Sequence, residues 1–110
     1  MIEKIVLDYL SGKLSVPVLM EIPSNPTKEY VVVQKTGSGR ENHINRATIA
    51  IRSYSVSLFK TAELNEMVKD AMFDITELVD VSKCELNSDY NATDTTNKKY
   101  RYQAVFDLVY

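Results

Sequence analysis

Apolar positions at Ile2, Ile5, Val6, Tyr9 and Leu10 recur at i, i+3, i+4, i+7 and i+8, which places them on one face of an amphipathic helix. Gly12 is the expected end of that helix. Val16, Val18, Met20 and Ile22 then fall at every second position, the period of a short strand, and Pro17 assigns its start to a sheet edge or strand end. "PSNPT" reads as loop, and "EYVVVQK" as a strand partly buried on both faces. "TGSGRENHIN", residues 36–45, holds two glycines and almost nothing apolar. It reads as a long, mobile connection between two antiparallel strands, the second being "RATIAIRSYSVSLF".

Thr61 is the expected N-cap of a second helix, with Glu63 in its first turn. Leu64, Met67, Val68, Ala71, Ile75 and Leu78 form one stripe, so the helix is expected to run to about Val79. "SKCELN" reads as a short strand and "NSDYNATDTTN" as a second long polar loop. The last segment alternates most regularly, with Tyr100, Tyr102, Ala104, Phe106, Leu108 and Tyr110 on one face and Lys99, Arg101, Gln103 and Asp107 on the other. The element order is therefore α-β-β-β-α-β-β. It implies a single α+β domain over residues 1–110, a mainly antiparallel sheet of about five strands with two helices on one face.

Composition narrows the function classes. A chain of 110 residues, 45% hydrophobic and 25% charged, can bury one core. Its net charge of −2 supplies no global basic field for nucleic acid or a membrane surface. No apolar run reaches the roughly 18 residues of a membrane span. The one cysteine, Cys84, excludes an intrachain disulfide and fits a reducing compartment. In that setting the Asn91-Ala92-Thr93 glycosylation pattern is expected to be accidental.

No constellation for catalysis emerges, and neither a cofactor nor a metal site is expected. A cysteine nucleophile needs a base within hydrogen-bond reach. Cys84 falls in a strand between Lys83 and Glu85, and His43 falls on a loop. One histidine and one cysteine do not make a usual zinc site, and "GSG" lacks the spacing and lysine of a phosphate loop. The alternative of a small nucleic-acid-binding module would use the basic face of the last strand with Arg40, Arg46 and Arg52. Its tyrosines, however, share a face with Phe106 and Leu108 and are expected in the core rather than on a stacking platform.

The second helix carries a different signal. Glu63, Glu66, Asp70, Asp74 and Glu77 fall in one narrow stripe beside the apolar one, with Phe73 flanking it. Carboxylates at i,i+4 repel by a few tenths of a kcal/mol per pair. A solvated face accounts for such a stripe, and so does an assembly surface, where aromatics are enriched.

"MIEKIVLDYLSGKLSVPVLMEIP", "RENHINRATIAIRSYSVS" followed by "AELNEMVKDAM", and "LNSDYNATDTTNKKYRYQAVFDLVY" together resemble a family of small tailed-phage and prophage morphogenesis proteins. Its members are tail terminators and tail-completion proteins of phages with long non-contractile tails. The resemblance covers essentially the whole chain. It implies a subunit made in the bacterial host cytoplasm that assembles with itself into a ring, usually a hexamer, at the head–tail joint of the virion. It implies contacts with the tail tube protein and head–tail connector proteins, none with membrane, and DNA only as cargo passing through the ring. It leaves open whether the role is terminator, connector or another tail-completion component. The expected interface residues are Arg40, Glu41, Asn42 and His43 on the first long loop, Glu66, Asp70 and Phe73 on the second helix, and Asp89, Asn91 and Asp94 in the second loop. The short polar residues of that second loop are expected to hold it by bonding their own backbone.

Overall fold

The computed structural model describes residues 1–110 as two helices on one face of a five-stranded mixed sheet, an α+β fold. Helix α1 spans Ile2–Lys13 and buries Ile2, Val6, Tyr9 and Leu10, the stripe read from the sequence. It runs through Gly12 and ends at Leu14, whose N–H is given to Leu10 O at 2.8 Å. One glycine weakens a helix by only about 1 kcal/mol, less than the packing of the adjacent turn supplies.

The strands are β1 (Val18–Leu19), β2 (Tyr30–Glu41), β3 (Ile44–Tyr54), β4 (Lys83–Asn91) and β5 (Arg101–Val109). They lie in the order β1-β2-β3-β5-β4; only the β1–β2 pair is parallel. Alternation sends Val31, Val33, Ala47, Ile49, Ile51, Ala104, Phe106 and Leu108 to the helical side, where they form one core with both helices. The regular face read for the last strand is thus the core face. On the opposite face Tyr30 and Tyr54 are cross-strand partners whose rings stack at 4.6 Å. With Val32 and partly buried Leu19 they form a second, small cluster.

Helix α2 spans Leu58–Phe73, beginning earlier than expected and ending sooner. The N-cap is Ser57, not Thr61: Ser57 Oγ accepts from Lys60 N–H at 3.1 Å. Thr61 lies buried in the first turn and donates to Ser57 O. The buried face is Thr61, Leu64, Asn65, Val68 and Met72, while Met67 is 53% exposed. A 3-10 turn, Ile75–Glu77, follows and still buries Ile75. Val79 is 97% exposed and outside any helix.

Both long loops are strand in large part. β2 continues to Glu41 and β3 starts at Ile44, so residues 36–45 form a hairpin arm rather than a mobile loop. The connection is two residues, Asn42 (φ 50°) and His43 (φ 66°). Positive φ at both positions is the turn whose twist matches paired strands, and asparagine tolerates it well. Glycine is absent from the turn itself, which is why the sequence hid it. Likewise β4 runs to Asn91, so Asp89 and Asn91 are strand residues.

Candidate assembly surface

The register places the two hairpin ends at opposite ends of the sheet. Arg46 of β3 pairs with Val109 and Val109 with Lys83, whereas Tyr54 pairs with Arg101 and Asn91 with Tyr102. The arm tip therefore projects past Val109 and Lys83, and the β4–β5 connection lies beyond Tyr54. The molecule is 44 Å long and about 25 Å across.

In the arm, Arg40 pairs with Asn45 and Glu41 with Ile44, and the whole stretch from Gln34 to His43 is exposed. Beyond Arg46 the only further tie from β5 is Tyr110 N–H to Asn45 O at 3.0 Å. A two-stranded hairpin with one supporting edge has little of its own to hold it. Lys35, at its base, reaches Glu3 of α1 at 3.8 Å. Arg40, Glu41, Asn42 and His43 sit together at the tip, as the sequence places them, with no side-chain hydrogen bond or ion pair to the rest of the subunit.

Glu66, expected on the second helix, and Asp89, expected in the second loop and found on β4, are joined by a charged chain. Lys69 Nζ lies 2.7 Å from Glu66 and 2.6 Å from Asp89, and Asp89 also accepts from Asn65 Nδ2 at 2.6 Å. Those bonds hold the Lys69 ammonium above its usual pKa, the one to Asp89 first. Lys69 was missed by sequence reasoning because nothing in a one-dimensional pattern joins position 69 to position 89. Asp70 and Phe73 are exposed on the same helix, Phe73 at 52%. Phe59, at 75%, lies at the opposite, N-terminal end of α2 and, with Ala62, Glu63, Glu66 and Tyr102, lines a shallow depression.

At the other end, Asn91 Oδ1 accepts from Thr93 N–H at 3.0 Å and from its hydroxyl at 2.6 Å. Asp94 Oδ1 accepts from the N–H groups of Thr96 and Asn97, and its other oxygen from Asn97 Nδ2. These bonds, the one from the Asn97 side chain first, hold the Asp94 carboxyl below its ordinary pKa. Short polar side chains thus hold residues 92–100 in a defined turn. The arm-tip group and the Asn91–Asp94 group are not brought together; they mark the two ends of the molecule.

The basic residues do not form one face. Arg46 and Arg52 lie on the helix-free side of the sheet, and Arg52 donates to Gln103 Oε1 at 3.1 Å. Arg40 falls on the other side by alternation, and Arg101 Nε donates to Ala92 O. Asp107 and Glu85 share the helix-free face with Arg46 and Lys83. Burial, then Asp107 and Glu85, push the Cys84 thiol up to about 11, so it is protonated at neutral pH. No helix is long and apolar enough to cross a membrane.

In comparison with known proteins, the chain matches no protein-family model and no curated protein.

Proposed function

We propose that this chain is a structural subunit of long-tailed phage morphogenesis that acts by assembling with itself into a ring at the joint between tail tube and head. The observation that supports it is the arm. Residues 36–45 form an ordered hairpin that carries Arg40, Glu41, Asn42 and His43 beyond the sheet and buries none of them in the subunit. Ordering a backbone costs about 1–2 kcal/mol per residue, and an arm whose tip is exposed and buries no side chain offsets little of that within the monomer. A neighbouring subunit or the tail tube supplies the missing contacts. The resemblance to tail-completion proteins gives the same assignment from the sequence side, and DNA is then the cargo of the channel rather than a ligand.

The test is made in the phage or prophage that encodes the chain. Replacing Arg40, Glu41, Asn42 and His43 by Gly and Ser residues should leave the subunit folded and yield heads and tails that fail to join in electron micrographs. Normal, fully joined particles from that variant would overturn the assignment.

A further inference from the structure

The two edges of the sheet match each other. β1 covers β2 only at Val31 and Val32, so residues 33–41 form an open edge; β4, on the opposite side, is open over Lys83–Asn91. The two edges are equal in length. Natural proteins cover or blunt edges of this kind, because unpaired N–H and C=O groups template pairing with another chain.

We propose that the β2 edge of one copy pairs antiparallel with the β4 edge of the next, making one continuous sheet around the ring, with Lys35 opposite Asp89 and Glu41 opposite Lys83. This rests on the self-assembly reading above and adds the contact by which it occurs.

Four features favour this pairing. The first is direction. β2 and β4 run in opposite senses within a subunit. A rotation about an axis inclined to the strands, which supplies the two-residue stagger between copies, therefore brings β4 against the next β2 antiparallel and keeps all helices on one side. Such head-to-tail contacts form a ring when the rotation between copies closes.

The second is the bulges. β2 shifts register between Lys35 and Gly37, and β4 between Leu86 and Ser88. In the proposed register these irregularities face each other. Side chains consequently agree in facing on both sides of them: Lys35 and Asp89 toward the helices, Gly39 and Glu85 away. A bulge in one strand alone would put half the seam out of phase.

The third is the backbone phase. Val31 N–H points to Pro17 O on the β1 side, so Val33 and Lys35, and past the bulge Ser38 and Arg40, present their backbone groups to the open edge. Ala92 N–H is given to Arg101 O. Alternation back along β4 therefore leaves Asn91, Asp89, Leu86 and Cys84 facing outward. These two sets oppose each other pair by pair.

The fourth is charge and space. Lys35–Asp89 and Glu41–Lys83 are opposite in sign, and no like charges meet. A shift by two residues in one direction sets Glu41 against Glu85. Gly37 and Gly39 lack a positive φ, and a Cβ at either would meet nothing within 4 Å in the subunit. The fold of the monomer does not require them, whereas glycine in a strand suits the close approach of another chain.

The test uses paired cysteines in a Cys84→Ala background. Gly39→Cys and Glu85→Cys fall on a pair whose backbone groups point away from the seam, where side chains are nearest. After mild oxidation the double variant should give a ladder of covalent multimers on a non-reducing gel. The two single variants should stay monomeric alone and give only dimers when mixed. Amides of Val33, Lys35, Ser38 and Arg40 and of Cys84, Leu86, Asp89 and Asn91 should also become protected from exchange together as native multimers form. Multimers by mass without the ladder, or dimers from Glu85→Cys alone, would overturn this seam and leave self-assembly standing. Monomers at every concentration would overturn both.

Discussion

Lys69 Nζ stands 2.6 Å from Asp89 Oδ2, and the same carboxylate accepts from Asn65 Nδ2, so one acidic side chain ties α2 to β4. Asn65 is 1% exposed. Asp89→Ala leaves its buried amide without that acceptor and should destabilise the subunit by about 2 kcal/mol. Asp89→Asn keeps an acceptor and should cost less. Thermal unfolding of both variants checks the order.

The tip of the arm should respond oppositely. His43 holds φ 66°, a conformation costing a side-chain-bearing residue roughly 1–2 kcal/mol. His43→Gly gives the turn the Asn-Gly pair that it favours. Amide exchange at the tip should slow by a few-fold; faster exchange would mean the turn is not the one described.

The β4–β5 turn should melt in acid. The Asp94 carboxyl is held below its ordinary pKa by the hydrogen bonds it accepts. Its contribution is therefore complete above the unfolded-state value, near 3.9, and is lost as pH falls through the lower folded-state value. The Thr96 and Asn97 amide resonances should shift together in that window, and Asp94→Ala should abolish the transition.

The Cys84 thiol should titrate with a midpoint of about 11 by ultraviolet absorbance. Because the folded-state value lies above the unfolded one, the folded protein holds this proton longer. Stability should decline as pH rises from about 8.5, the value of a free thiol, toward 11. A midpoint near 8.5 would show the thiol to be solvated.

The fold was legible where periodicity was long. The α1 stripe and the Ala104–Phe106–Leu108 face are both read correctly, because each buries one continuous side. Helix α2 misled where a single position decided: Met67 fits the apolar pattern, yet Asn65 and Met72 are buried in its place. The two long loops misled for a shared reason. Gly, Ser, Asn and Asp are loop-like by composition, but in the arm they are held by the ladder to β3 and at residues 92–100 by the carboxylate of Asp94. Of the candidate site, the tip residues were placed in sequence, whereas the Glu66–Lys69–Asp89 chain depends on a contact between distant segments.

Self-association into a closed ring is tested most directly by the mass of the purified chain in sedimentation equilibrium over a wide concentration range. A ring subunit gives a single discrete multimer, six times the 12.5 kDa chain for a hexamer, that dissociates to monomers without populated open chains of every length. A monomer at all concentrations, or a mass that grows without limit, contradicts it.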